Sequence, residues 1–188
     1  MTIKEEAIRN LEDFARAANE LGIPFMLMEG TLLGAYREKD FVVNDENDID
    51  LGIHEEHFSK YDALIMRLKD FGFTMTKLVK IGDEIHGGAF VRGANHIDIM
   101  RMVVVKNQTI NYGLMGKLYY KYTKDVFDGY SEINFHGNTY KTPKLIEKFL
   151  TQRYGDWKTP VALKNYSWKH KRTSPNACWL KDEPLEEI

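Results

Sequence analysis

Apolar residues recur at Ile3, Ala7, Ile8, Leu11, Phe14, Ala15, Ala18 and Leu21, with polar and charged positions between them. That spacing predicts an amphipathic first helix, which Gly22 and Pro24 end. Residues 24–28 form a short apolar run that reads as a buried strand, leading directly into Glu29-Gly30-Thr31. Glycine there permits close approach to the backbone, and Leu32-Leu33-Gly34-Ala35-Tyr36-Arg37 begins a second helix, whose free N–H groups suit a phosphate. Residues 39–46 are polar and read as a loop. The period then changes: in residues 47–53, alternation puts Asp48, Asp50 and Gly52 on one face of a strand and Ile49, Leu51 and Ile53 on the other.

Helical spacing returns over residues 55–71, with Phe58, Tyr61, Leu64, Ile65 and Leu68 on one stripe and Gly72 as the stop. Residues 73–80, 84–92 and 96–105 read as strands joined by turns at Gly82-Asp83 and Gly93-Ala94-Asn95, a hairpin ladder beside the aspartate strand. In the last of them His96, Asp98 and Met100 share a face opposite Ile97 and Ile99. A strand and turn follow over residues 104–111, and residues 114–122 are aromatic and basic. Residues 133–135 and 139–141 flank a hairpin turn at His136-Gly137-Asn138. Thr142-Pro143 has the signature of a helix start, threonine as the cap and proline in the first turn, with Leu145, Ile146, Phe149 and Leu150 turned inward and an end near Tyr154-Gly155.

This pattern singles out three carboxylates. Asp48 and Asp50 point the same way from one strand, and Asp98 arrives on another. Like charges so placed repel unless a cation lies between them, so the arrangement points to a divalent-metal site for Mg²⁺ or Mn²⁺. Two metal ions, or one metal and a general base, are what in-line transfer at phosphorus requires. The six histidines, His54, His57, His86, His96, His136 and His170, match no compact zinc-ligand spacing, and Cys178 stands alone. Tyr154 and Trp157 read as core rather than as a base-stacking platform.

Composition narrows the class. The chain has 188 residues, 43% of them hydrophobic, enough for a packed core. With 28 acidic and 26 basic residues and a net charge of -2, no overall field draws it to nucleic acid or an anionic membrane. A single cysteine excludes an internal disulfide framework, no apolar run is long enough to span a membrane, and the acidic amino terminus is unlike a signal peptide. The expectation is a cytoplasmic enzyme.

Four segments together resemble the LicD/fukutin family: Gly30-Thr31-Leu32-Leu33-Gly34-Ala35-Tyr36-Arg37, Asp48-Ile49-Asp50, Ile97-Asp98-Ile99, and Arg153-Tyr154-Gly155-Asp156-Trp157 with Pro160. The resemblance implies an α+β fold of the nucleotidyltransferase superfamily, a mixed β-sheet flanked by helices with a carboxyl-terminal helical segment. It implies one domain over residues 1–188, with a core of about residues 1–142. The activity implied is metal-dependent transfer of a phosphorylated alcohol, such as phosphocholine or phosphoribitol, from a CDP-linked donor to a sugar hydroxyl of a glycan. Metal binding would carry over to Asp48, Asp50 and Asp98, and phosphate contact to Gly30 and Thr31. Under that resemblance Arg37, Lys171 and Arg172 are candidates for pairing with phosphate. The chain departs from the family before the paired aspartates, where Val42-Val43-Asn44-Asp45-Glu46-Asn47 stands in place of an isoleucine-proline-tryptophan and acidic run. Two other readings share the site: transfer of a nucleoside monophosphate to a small molecule or protein hydroxyl, and a silent nucleotide-binding module.

Overall fold

A computed structural model describes residues 1–113, 118–160 and 174–179. Helix α1 (Ile3–Glu20) opens with a capping box: the Glu5 amide donates to Thr2 Oγ1 at 3.1 Å, and the Thr2 amide donates to Glu5 Oε2 at 2.7 Å. Its inner face is Ala7, Asn10, Leu11, Phe14, Ala17 and Ala18, whereas Ile3 lies largely in solvent. Strand β1 (Met26–Leu27) follows, then α2 (Glu29–Leu33), which widens into a π turn at Gly34–Glu38 and ends on Lys39 in the left-handed region. Strand β2 (Asp48–His54) carries the paired aspartates. The helix expected over 55–71 is two pieces, a 3₁₀ segment at Glu55–Lys60 and then α3 (Tyr61–Asp70). Phe58 stacks on Tyr61 with ring centroids 4.4 Å apart, a pairing three residues apart that suits the threefold 3₁₀ turn.

Strands β3 (Thr74–Ile81), β4 (Glu84–Arg92) and β5 (Asn95–Val105) form the expected antiparallel ladder. They are followed by β6 (Gln108–Tyr112), β7 (Leu118–Thr123), β8 (Tyr130–Phe135) and β9 (Asn138–Pro143). The hairpin between β8 and β9 turns on His136 and Gly137, both at positive φ (47° and 84°), as a two-residue primed turn requires. Thr142 and Pro143 do not open a helix. They pair with Ser131 and Tyr130 at the end of β9, and α4 (Ile146–Tyr154) starts three residues later without a side-chain cap. Thr142 is fully buried in the sheet, so burial of a β-branched residue overrides its capping propensity. A short β10 (Ala177–Trp179) closes the described chain.

The strands form a mixed sheet in the order β10-β7-β6-β5-β2-β1-β9-β8, with β4 also pairing β5 and β3 pairing β4. β5 is the spine of this arrangement. Its first part runs parallel to β2 and antiparallel to β4, and its last residues, Val103 to Val105, pair with β6. Ile49, Leu51, Ile53, Phe90, Ile97 and Ile99 fill one core with Leu11, Phe14, Leu64 and Leu68 from α1 and α3. On the other side Val79 joins Ile110, Tyr112 and Tyr119 in a smaller cluster, so the β6–β7 strands rise as an aromatic wall beside the aspartate face. Arg92 ties the β4–β5 turn to α1 through Asn10 Oδ1 at 2.7 Å and Asp13 Oδ2 at 2.6 Å. Among the described residues no helix is long and apolar enough to cross a membrane.

The connection from α2 to β2 depends on Gly34. A Cβ there would lie 2.5 Å from the Asp40 carbonyl oxygen and 2.7 Å from the Val42 nitrogen, both backbone atoms. Gly34→Ala is therefore expected to destabilise the fold by about 1–3 kcal/mol, the range for overpacking. Urea denaturation measures this, and an unchanged midpoint would show that the connection does not need the close approach.

Candidate active site

Strands β2 and β5 run parallel with Asp50 opposite Asp98 and Asp48 opposite His96. Equal phase on neighbouring strands sends side chains to the same face, so the alternation in each strand suffices to gather Asp48, Asp50 and Asp98. One oxygen from each lies within 4.8 Å of the others. The three residues expected to hold a metal are thus brought together, half-buried, above a core of isoleucine and leucine.

The glycine turn closes the cluster from the side of α2. The Gly30 amide donates to Asp50 Oδ2 at 3.0 Å, and the Met28 amide donates to the Asp50 carbonyl at 2.9 Å. Thr31 Oγ1 accepts from the Asp50 amide at 2.9 Å and donates to the Asp48 carbonyl at 3.4 Å. Both residues thus hold β2 and its carboxylate in place. A Cβ on Gly30 would sit 2.9 Å from Asp45 Oδ2 and 3.3 Å from Asp50 Oδ2, so glycine is what lets carboxylates approach this turn. Arg37, expected at a phosphate, donates instead to the Trp157 carbonyl at 2.7 Å and to Glu38 Oε1 at 2.6 Å. Lys171 and Arg172 lie outside the described residues.

Two further carboxylates belong to this region and have no periodic signal. Asp45 sits in the turn before β2, and burial, with Asp48 and Glu46 nearby, pushes its carboxyl up to about 6. Glu29 is buried at the start of α2 with φ at 40°, a conformation uncommon outside glycine. It accepts from the Tyr122 hydroxyl at 3.1 Å and pairs with Arg153 of α4, whose guanidinium lies 4.2 Å over the Tyr120 ring. The acidic wording of residues 44–47 was the only sequence hint for Asp45. For Glu29 there was none beyond its place before the glycine.

Burial dominates the electrostatics and charge crowding adds to it. Asp98 is pushed up to about 7 by burial and by Asp48, against an opposing pull from Lys77. Asp48 is raised by burial although His96 works against the shift. Asp50 is raised well above the usual carboxylate range, by burial first and then by Asp48, Glu29, Asp98 and Asp45. A cluster that resists ionisation in this way is one that a divalent cation would stabilise.

Comparison with known proteins supplies a family and a fold. Residues 22–145 match the family model described as LicD/FKTN/FKRP, nucleotidyltransferase domain. Ribitol-5-phosphate transferase FKTN from Macaca fascicularis is 28% identical over 194 residues, covering 100% of this chain and 41% of that protein. The Homo sapiens protein of the same name is 26% identical with the same coverage. The chain therefore spans about two fifths of the length of the curated relatives it matches. The solution structure of the antibiotic-resistance factor ANT(2'')-Ia superposes with a TM-score of 0.53 at 14% identity, covering 74% of this chain and 66% of that one, and so shares the fold.

The raised carboxyls fix a pH dependence. Folded Asp98 and Asp45 titrate near 7 and 6, above the unfolded carboxylate value of about 4, so between those values the folded chain holds protons that the unfolded chain has released. Their contribution to stability is present at low pH and lost as pH rises through the folded values. Without divalent ions, the melting temperature is expected to be higher near about pH 5.5 than near about pH 8, and saturating Mn²⁺ is expected to reverse the order because it binds ionised carboxylates. A metal-free melting temperature that stays level or rises over that range would contradict the assignment.

Proposed function

The chain belongs to the LicD/FKTN/FKRP family, and on that premise we propose that it transfers a phosphorylated alcohol from a CDP-linked donor to a sugar hydroxyl of a glycan. The observation that carries this reading is the convergence of Asp48, Asp50 and Asp98 beside a glycine turn. Ribitol phosphate is the first alcohol to consider, because the relatives carry that name.

The residues present fit Mg²⁺ or Mn²⁺. They are oxygen donors on rigid strands, close enough to share one ion, and their own mutual repulsion is what an ion would relieve. When bound, the metal would neutralise charge on the donor diphosphate and on the departing CMP. Asp48 and Asp50 are the ligands in this assignment. The Gly30 amide fixes the orientation of Asp50 Oδ2, and the Thr31 hydroxyl fixes the strand that carries both aspartates. Asp98, on the neighbouring strand directly beside Asp50, takes the proton of the attacking hydroxyl, with its carboxylate oxygen close to those of the metal-holding pair. The attacking oxygen then forms a bond to phosphorus as the bond to the CMP oxygen breaks.

Incubation with CDP-ribitol, CDP-choline and unmodified nucleoside triphosphates in the presence of Mn²⁺ tests the reading. Release of CMP from a CDP-alcohol is expected, and Asp50→Asn is expected to lower turnover by at least about a hundredfold while leaving the fold intact. Pyrophosphate release from triphosphates in place of CMP release would assign nucleotidyl transfer instead. Unchanged turnover in Asp50→Asn would remove the metal assignment.

A further inference from the structure

Lys77 lies on the same register row as two of the site carboxylates. Asp50 is opposite Asp98, Asp98 is opposite Ala89, and Ala89 is opposite Lys77. In-register residues of a sheet project to one face, so the row runs from the paired aspartates through a methyl group to a lysine.

An irregularity in β3 is what puts Lys77 there. Phe73 and Met75 pack in the core, and uninterrupted alternation would send Lys77 to the core with them. Instead the register shifts between Met75, opposite Phe90, and Lys77, opposite Ala89, leaving Thr76 as the added residue. The Thr76 hydroxyl donates to the Ala89 carbonyl at 3.2 Å, which holds the bulge. Beyond it Leu78 packs against the core, and Val79 joins Tyr112 and Tyr119 in the aromatic wall. One extra residue therefore exchanges the faces of Lys77, Leu78 and Val79, up to a second register shift between Val79 and Lys80, and the consequence is a lysine on the carboxylate face. Bulges recur beside active sites because they re-aim a side chain in this way.

Position on the row gives Lys77 its part. Asp48 and Asp50 flank Asp98 from β2, while Lys77 approaches from the opposite side, two strands away, with only Ala89 between. Two strand spacings are about 10 Å, a separation that a lysine side chain and one oxyanion can span. The charge of Lys77 already acts on Asp98, opposing the effect of burial. Taking the donor diphosphate at Asp48 and Asp50 and the attacking hydroxyl at Asp98, the Lys77 end is the acceptor end.

We propose that Lys77 binds a phosphate monoester carried by the acceptor next to its attacking hydroxyl, so that the acceptor is a phosphorylated sugar or polyol rather than a neutral one. The acceptor assignment rests on the transferase reading, while anion recognition by Lys77 is measurable without it.

Calorimetric titration of the Mn²⁺-loaded chain with glycerol 3-phosphate, and with glycerol as the neutral control, tests this. Wild type is expected to bind the phosphate ester at least about tenfold more tightly than glycerol, Lys77→Met to lose about tenfold, and Lys77→Arg to stay within about threefold of wild type. Lys77→Gln serves in place of Lys77→Met if thermal melting shows that the methionine variant is not folded. In turnover with CDP-ribitol, the lysine loss is expected to raise KM for a phosphorylated acceptor by a larger factor than KM for its neutral counterpart. Equal binding of glycerol 3-phosphate by wild type and Lys77→Met, which places the phosphate on the metal, would overturn the proposal, as would no binding by wild type. Failure of the transferase reading is distinct: no CMP is released by wild type, and the Lys77-dependent binding persists.

Discussion

Carboxylates that repel one another are held together at the meeting point of β2 and β5. Asp48, Asp50 and Asp98 stand together with an oxygen of each within 4.8 Å of the others, and Asp45 adds a fourth acidic group beside the Gly30 turn. Placing such groups together in a half-dry site is unfavourable for a protein alone. The surrounding architecture reads as the means of enforcing it. Parallel pairing fixes Asp50 beside Asp98, the isoleucine and leucine side of each strand anchors that pairing in the core, and the Gly30 turn leaves room for carboxylate oxygens where any side chain would collide.

The enforcement extends beyond the residues that the family model covers. Arg153 of α4 reaches back to Glu29, and Tyr122 of β7 donates to the same carboxylate, so the residue immediately before the glycine turn is clamped from two directions. Glu29 itself adds to the charge felt by Asp50. Arg37 holds the Trp157 carbonyl, and the Tyr36 and Trp157 rings meet at 5.6 Å, which ties the segment after α4 to the helix that starts at the turn. Helix α4 and the described residues just after it are thus part of the support of the site, acting through a buried charge pair and ring contacts.

Where alternation was strong, the chain could be read directly. The aspartates on one face of β2, Asp98 on β5, and the β3–β4–β5 ladder with its two glycine turns all follow from period-2 patterning against an apolar opposite face. The His136-Gly137 hairpin was legible for a different reason, because its backbone demands residues that tolerate positive φ. What escaped were features decided by neighbours distant in sequence. Thr142-Pro143 carries a sound capping signature, yet pairing with β8 claims it for a strand. Thr76 looks like any outward strand residue, although its insertion transfers Lys77 from the core face to the site face. Asp45 and Glu29 sit in a turn and at a strained helix start, where no period exists to flag them. Arg37 suggests a phosphate partner only through the family resemblance of its segment, and its observed partners include a tryptophan carbonyl 120 residues away.

One divalent cation is expected to resolve the repulsion at the meeting point of β2 and β5. Anomalous diffraction from crystals soaked in Mn²⁺ tests it most directly. A peak shared by Asp48 and Asp50 is expected at direct coordination distance from their oxygens, with Asp98 beside it and the Gly30 amide still on Asp50. Crystals saturated with Mn²⁺ that show no peak there, with the three carboxylates unchanged in position, would contradict it.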